Sequence, residues 1–297
     1  MDRKEFLKKG ILGTGVFIAT ASNAGTIVND IDELKDLDPI KMPADLGFNH
    51  IPNTDSKITA STVLHKANTR GNANHGWLNS YHTFSFANYY NPERMHFGAL
   101  RVLNDDTVQS GMGFPRHPHD NMEIISIPLE GDLEHKDSMG NVAVIRNGDV
   151  QVMSAGSGIH HSEYNKNKEK LVKFLQIWVF PNKKNVTPRY DQITLLTKDR
   201  KNKLQQILSP SPNDAGVWIH QNAWFHIGKF DNGISLPYNI RKTGNGVYAF
   251  VLKGNFSINQ IKLSSRDGLG IWDTKMINIT SESPGSELLL MEVPMMV

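Results

Sequence analysis

Four side chains in the middle of the sequence are of types that bind metal ions, and they form two pairs with the same spacing. His117 and His119 are one pair, and His161 and Glu163 are the other. In a β-strand, residues two apart point to the same face, so each pair can direct two ligand atoms toward one point. Three imidazoles and a carboxylate suit a divalent transition-metal ion. If the two strands are neighbours, the spacing predicts a metal site on these four residues.

The residues alone leave the carboxylate ligand open. Glu123 is also expected to face inward from the strand that carries the first histidine pair, so it is an alternative to Glu163. His160 precedes His161 and should point to the opposite face, where we expect it to serve the fold or to support a ligand. The remaining histidines lack such partners and are expected to serve the fold: His50, His65, His75, His82, His96, His135, His220 and His226. His82 and His135 are possible exceptions, because they lie in strand-rich segments flanked by turns.

Composition restricts the chemistry further. The 297 residues include 12 histidines and no cysteine, which excludes disulfides, zinc-thiolate sites, iron–sulfur clusters and a cysteine nucleophile. We therefore expect one divalent ion held by nitrogen and oxygen ligands, with Fe(II) as the first candidate and Cu, Ni, Mn or Zn as alternatives.

The formal net charge is only +2, which gives no electrostatic argument for nucleic acid as a partner. We expect a monomer.

From residue 62 onward the pattern is typical of β-structure. Short runs rich in Val, Ile, Phe and Tyr are separated by Gly, Asn and Asp turns, which favours a sandwich or barrel over alternating strands and helices. A weak repeat is visible, because Leu129-Glu-Gly131 resembles Leu252-Lys-Gly254. Two similar β units in tandem would divide the chain near residues 181–188, where Asn, Lys and Pro cluster.

The N-terminus has the pattern of an export signal. Residues 1–24 begin with charged side chains, continue with an apolar run at residues 11–21 and end in small residues. The run is too short for a stable membrane span. The opening is similar to a twin-arginine signal, with Lys4 in place of the second arginine. We expect an exported protein, periplasmic or secreted, with a linker at residues 25–60; an amphipathic helix packed on the domain, in a cytoplasmic protein, is the alternative.

Longer stretches of the sequence resemble the pirin family of two-domain cupins. The first cupin motif is present around His117-x-His119-x3-Glu123, and the second is more degenerate around Gly158-x2-His161. The stretches that carry the resemblance are Asn72–Tyr90, Ala99–Asp106, His117–Ile124, Leu129–Asn141, Met153–Asn165 and Gln176–Pro181. The resemblance implies an all-β chain of two tandem jelly-roll cupin domains, at residues 61–185 and 186–297, with the metal ligands in the first. Counting from Gly254 as from Gly131 finds no histidine pair in the second domain, so we expect it to be metal-free.

The resemblance also implies the ligand set and the activity. In this family the ligands correspond to His117, His119, His161 and Glu163, which leaves Glu123 and His160 as supporting residues. The bacterial branch that the sequence resembles cleaves quercetin or a similar flavonol with O2, with Glu163 as both ligand and general base. The alternative is a non-catalytic, metal-binding or redox-sensing protein. A third class, a cupin isomerase acting on a sugar phosphate, would need a basic cluster at the pocket, where only Arg116 is placed.

Overall fold

The computed structural model describes residues 60–296, and nearly all of its regular structure is β. It contains 22 strands and two short 3-10 turns, at Ala67–Thr69 and Thr197–Asp199. The prediction of an all-β fold is confirmed. The predicted export signal at residues 1–24 and the predicted linker at 25–60 lie outside the described residues, apart from residue 60. Among the described residues, no helix has the length and apolarity that crossing a membrane requires.

The first domain is a sandwich of a large sheet and a small sheet. The large sheet has seven strands in the order β12-β9-β6-β11-β4-β3-β2, and the small sheet has four in the order β5-β10-β7-β8. Their bounds are β2 Gly71–Asn74, β3 Leu78–His82, β4 Leu100–Val108, β5 Gly113–His119, β6 Glu123–Glu130, β7 Leu133–Asp137, β8 Val142–Ile145, β9 Asp149–Ser154, β10 Ile159–Asn165, β11 Val172–Val179 and β12 Arg189–Thr194.

The second domain repeats this architecture. Its large sheet follows the order β1-β20-β17-β22-β15-β13-β14, and its small sheet follows β16-β21-β18-β19. Their bounds are β1 Ser61–His65, β13 Gln205–Ser209, β14 Val217–Trp218, β15 Trp224–Phe230, β16 Ser235–Asn239, β17 Asn245–Lys253, β18 Asn255–Ile258, β19 Ile261–Ser264, β20 Gly268–Trp272, β21 Met276–Ser281 and β22 Ser286–Pro294.

The faint sequence repeat corresponds to this structural repeat. Gly131 makes the turn from β6 to β7, and Gly254 makes the equivalent turn from β17 to β18, with φ angles of 75° and 78°. A side chain at either position would also clash, since a Cβ would lie 2.7 Å from the Leu171 carbonyl oxygen or 2.3 Å from Ser286 Oγ. Both glycines are therefore needed for the same reason, which is a left-handed turn against a neighbouring strand.

Each domain contributes an edge strand to the other part of the chain. β1 lies at the start of the predicted first domain but pairs with β20 of the second, while β12 follows residue 185 but pairs with β9 of the first. The predicted boundaries at 61 and 185 therefore differ from sheet membership. The exchange covers an edge that would otherwise be open in each large sheet, a constraint that sequence patterns do not display.

The two large sheets face each other across the largest apolar core of the described chain. Alternate residues of β6 and β11 point into it from the first domain, and alternate residues of β15, β17 and β22 point into it from the second. The members on these strands are Ile125, Ile127, Leu175, Ile177, Val179, Phe225, Ile227, Tyr248, Phe250, Leu252, Leu289, Met291 and Val293. The large sheet of the first domain is thus buried on both faces, with the small sheet covering the other side.

This shared core leads to a stability prediction. Phe250 is fully buried between the sheets, so Phe250→Ala should destabilise the protein by about 3–5 kcal/mol. Because the core belongs to both domains, the variant should still unfold in one cooperative transition, measured by calorimetry or circular dichroism. Val142→Ala, at a 67% exposed position, is the control and should melt like the wild type. Two separate transitions, with only the second domain shifted, would contradict the shared core.

Candidate metal centre

The first histidine pair lies at the end of β5 and points into the first domain. His117 and His119 are both buried, and their ring centroids lie 4.9 Å apart. The backbone carbonyl of Pro115 lies 2.8 Å from His117 Nδ1, so Nδ1 carries the proton and Nε2 keeps its lone pair. A backbone carbonyl on the far nitrogen is the usual way in which a metal-binding histidine is oriented.

The second strand brings His161 directly opposite this pair. β10 pairs antiparallel with β5, and His161 is the register partner of His117. The His161 ring centroid is 4.4 Å from that of His117 and 5.0 Å from that of His119. One ring nitrogen from each of the three lies within 4.8 Å of the others. The two strands predicted to be neighbours are neighbours, and they bring three of the four predicted ligands together.

The chemistry of these three residues fits a divalent cation. His119 Nε2 and both ring nitrogens of His161 are buried, and none has a hydrogen-bond partner among the described residues. Burial lowers the pKa of His161 well below its usual range, and neighbouring His117 lowers it further. The imidazoles are therefore neutral, with lone pairs concentrated at one point and no proton donor to satisfy them. A metal ion would satisfy them, since neutral imidazole is its common nitrogen ligand in proteins.

Glu163 lies two residues further along β10, and hydrogen bonds from the large sheet hold its carboxylate. The β5–β10 ladder has an irregularity between His161 and Glu163, and Glu163 pairs with His135 on β7. Its Oε2 accepts a hydrogen bond from Gln176 Nε2 at 2.9 Å, and Ser126 Oγ lies 3.1 Å from Oε1. The carboxylate oxygen is grouped with His161 and His135, all within 4.8 Å. The four-ligand set that includes Glu163 therefore stays a prediction.

The Glu163 carboxyl has an unusual protonation equilibrium. Burial raises its pKa from 4.5 to about 7, because the two hydrogen bonds from Ser126 and Gln176 only partly offset the loss of hydration. A carboxyl with a pKa near neutrality can exchange a proton at physiological pH, which is the property required of a general acid or base.

A row of polar side chains crosses the inner face of the large sheet behind this carboxyl. Neighbouring strands place them in one register, and all are buried: Gln151, Ser126, Gln176, Asn104 and His82. Within the described chain, Asn104 Oδ1, both amide atoms of Gln151 and both nitrogens of His82 lack hydrogen-bond partners. Buried polar atoms of this kind require water or a polar ligand. The inner face can therefore accept hydroxyl groups as well as a metal.

Glu123 is placed differently from the prediction. Along β6, Ile124 and Ser126 face the metal centre, whereas Ile125 faces the second domain. Glu123 shares the Ile125 side and accepts a hydrogen bond from Ser154 Oγ at 2.6 Å. The prediction that it supports the metal site is wrong. A turn at residues 120–122 separates β5 from β6, so the alternation of one strand does not continue into the next.

Of the two roles predicted for His160, the structure supports the one in the fold. Its side chain is exposed, on the outer face of β10. Its backbone N–H donates to Ser138 Oγ at 3.1 Å, and its carbonyl accepts from the Ser138 N–H at 2.9 Å. These bonds attach the β7–β8 hairpin to β10 next to His161.

His135 is a site residue that the sequence left with the fold, as a possible exception without an assigned role. It is fully buried on β7, and its ring centroid lies 5.4 Å from that of His161. The signal was present, since His135 and Asp137 form a third pair of potential ligands two residues apart. The structure links them through a contact of 3.1 Å between His135 Nε2 and Asp137 Oδ2.

Apolar side chains form one wall beside the histidines. Met122 and Met153 belong to this wall, and Trp178 joins them with its ring centroid 4.9 Å from that of His119. Phe114 packs with Trp77 in a different cluster. A flat aromatic molecule could contact the apolar wall and the row of polar side chains at the same time.

Comparison with known proteins identifies the family. Residues 63–179 match the pirin family model, and residues 206–293 match the model of the quercetinase C-terminal cupin domain. The chain is 46% identical over 231 residues to quercetin 2,3-dioxygenase of Escherichia coli K12, which covers 78% of this chain and 98% of that protein. The chain belongs to the pirin family. A pirin-like protein of Caulobacter vibrioides is 40% identical, covering 75% of this pirin and 95% of its relative.

A solved structure supports the same assignment. The bacterial pirin YhhW of Escherichia coli, determined in complex with nickel(II), superimposes with a TM-score of 0.74 at 44% sequence identity. The match covers 78% of this pirin and 99% of that chain. Together with the family models, it confirms the bicupin architecture expected from the sequence.

The second cupin domain of this pirin has apolar side chains where the first has ligands. By sheet order, β16 and β21 are the counterparts of β5 and β10. The inward residues of these strands are Tyr238, Ile277 and Ile279, which pack in the core of the second domain. No group of three potential metal ligands occurs in this domain among residues 60–296. The metal-free second domain stays a prediction.

The position of Glu123 on the face toward the second domain predicts how stability depends on pH. Burial raises its pKa from 4.5 to about 7, only partly offset by the hydrogen bond from Ser154. Because the folded-state pKa exceeds the unfolded one, folding favours the protonated form. The stability that this carboxyl contributes is therefore present below pH 4.5 and lost as the pH rises toward 7. Relative to the wild type, Glu123→Gln should gain on the order of 2–3 kcal/mol between pH 4.5 and 7.5.

Urea unfolding of chelator-treated protein at several pH values measures this difference. Glu130→Gln is the matched control, because Glu130 is an exposed glutamate near the other end of the same strand. A difference between Glu123→Gln and the wild type that does not change with pH would refute the assignment.

Proposed function

We propose that this pirin is a metal-dependent dioxygenase that cleaves the central ring of quercetin or a similar flavonol with O2. The reaction consumes one flavonol and one O2 and releases one carbon monoxide and a ring-opened ester. The observation that carries the proposal is the buried three-histidine cluster next to a carboxyl of raised pKa and an apolar wall. The curated relative with 46% identity, named quercetin 2,3-dioxygenase, supports the substrate class.

The predicted metal ligands are His117, His119 and His161, with Glu163 as the predicted fourth. A divalent ion bound there would supply Lewis-acid and redox chemistry. The nickel(II) complex of the related pirin supports a divalent ion. Fe(II) remains the first candidate in this chain, with Ni, Cu, Mn and Zn as alternatives, because these ligands accept several metals.

Glu163 is the proposed general base. Its pKa of about 7 allows the carboxylate to accept a proton from a substrate hydroxyl. Gln176 and Ser126 position the two carboxylate oxygens, so the proton is received at a fixed place. Flavonol hydroxyls are weak acids, and their deprotonation makes the ring electron-rich enough to react with O2.

The pocket walls are proposed to orient the flat substrate. Trp178 presents a large aromatic face beside His119, and its Nε1–H is a buried donor with no acceptor among the described residues. A substrate hydroxyl or carbonyl oxygen could accept that hydrogen bond. The apolar wall excludes water from the reacting ring, which strengthens these polar interactions.

We also propose that the protein acts outside the cytoplasm, on the basis of the signal-like pattern at residues 1–24. Expression with and without these residues, followed by cell fractionation, tests this. We expect export only of the full-length chain. Equal amounts of both forms in the cytoplasm would contradict it.

Oxygen uptake tests the proposed activity. Protein stripped with a chelator and reloaded with Fe(II), Ni(II), Cu(II) or Mn(II) should consume O2 and remove quercetin absorbance in equal amounts with at least one metal. His161→Ala should lose metal binding and turnover, while His160→Ala, its exposed neighbour, should retain both. Metal binding without O2 uptake for every metal would instead favour a non-catalytic, metal-binding pirin.

A conservative variant tests the role of Glu163. Glu163→Gln keeps the size of the side chain but removes the base, so kcat should fall about 10²–10⁴-fold. Glu134→Gln, at a carboxylate on the β7 strand that contacts lysines at the surface, is the control. Unchanged kcat in Glu163→Gln would exclude the general-base role.

A further inference from the structure

His135 has the hydrogen-bonding arrangement of a metal ligand rather than that of a core histidine. It lies on β7, faces Glu163 across the β7–β10 ladder and is fully buried. Its Nε2 is 3.1 Å from Asp137 Oδ2, and Asp137 is the register partner of His161. The inner face of the small sheet thus carries four neighbouring polar side chains, His135 and Asp137 from β7 and His161 and Glu163 from β10.

The environment of Asp137 fixes which nitrogen of His135 carries the proton. The Asp137 carboxylate accepts hydrogen bonds from the backbone N–H groups of Met139 and Asn141 and from Asn141 Nδ2, at 2.8–3.1 Å. A carboxylate surrounded by three N–H donors acts as an acceptor, so His135 Nε2 donates to it and His135 Nδ1 keeps a lone pair.

Within residues 60–296, no hydrogen-bond donor satisfies this lone pair. His135 Nδ1 is buried and has no hydrogen-bond partner among the described residues. One ligand atom from each of His135, His161 and Glu163 lies within 4.8 Å of the other two. A carboxylate on one imidazole nitrogen with the other nitrogen free is the arrangement found for metal-bound histidines.

We propose that His135, His161 and Glu163 form a second position for a divalent transition-metal ion, which shares His161 with the three-histidine position. This inference deepens the proposed metal centre and rests on it, but it does not depend on the dioxygenase activity. His161 can serve either position, since neither of its ring nitrogens has a partner in the described part of the chain. Ligands of one first-row ion lie roughly 3–3.5 Å apart at bond lengths near 2.1 Å, so binding needs only small side-chain movements.

The shared histidine implies that one ion occupies one position at a time. Glu163 and His135 pair across β10 and β7, whereas His117 and His119 lie on β5, on the opposite side of β10. An ion could therefore move between the two positions without leaving the pocket.

Nickel(II) titration of variants tests the second position. In the double variant His117→Ala/His119→Ala the three-histidine position is removed, and we expect residual binding of one Ni(II), 10–1,000-fold weaker than in the wild type. Adding His135→Gln should weaken this residual binding at least tenfold further. Adding His160→Ala instead should leave it unchanged, because that side chain is exposed. Isothermal calorimetry and the Ni(II) absorption bands give the affinity and the ligand type.

Two results would overturn the proposal: no residual binding in the double variant, or residual binding that His135→Gln leaves unchanged. Near-ultraviolet circular dichroism and a thermal melt check that each variant is folded, and the single variant His119→Ala replaces the double one if it is not. Absence of O2 uptake by metal-loaded wild-type protein would refute the proposed dioxygenase but would not change any of these titrations.

Discussion

Burial of the first large sheet on both faces is the constraint on which the rest of the structure depends. Strand alternation sends one set of side chains into the core shared by the two domains and the other set toward the small sheet. On β11, Ile177 enters the shared core, whereas Gln176 and Trp178 face the metal centre. A shift of one residue in register would exchange the two sets, so the shared core fixes the chemistry of the pocket as well as the stability of the fold.

This constraint gives the second domain a physical role although it has apolar side chains at the counterpart of the metal centre. It provides the surface against which the sheet of the first domain packs, and β1 and β12 pair across the division of the chain. The pocket of the first domain can then contain buried polar groups and a carboxyl of raised pKa. The apolar core offsets the unfavourable free energy of burying them. A single rigid sheet between the two cores keeps the ligand strands in place.

The sequence predicted the parts of this structure that depend on local periodicity. Two histidine-containing pairs two residues apart, the β pattern and the repeated glycine turns were sufficient to place His117, His119 and His161 together. The sequence did not predict the features that depend on which strands pair and on the turns between them. Glu123 was assigned to the wrong face because the turn before β6 resets the alternation. His135 was left with the fold although Asp137 lies two residues away, because the strand that brings it to Glu163 and His161 is known only from the structure. The exchange of edge strands is equally invisible to local patterns.

The central claim is that β5 and β10 hold a divalent ion on histidines of the first domain. Anomalous diffraction at the nickel absorption edge, from crystals grown with one equivalent of Ni(II), tests it most directly. We expect one principal peak in the first domain, from an ion about 2.0–2.1 Å from a ring nitrogen of His161. A principal peak in the second domain, or one in the first domain without His161 as a ligand, would contradict it.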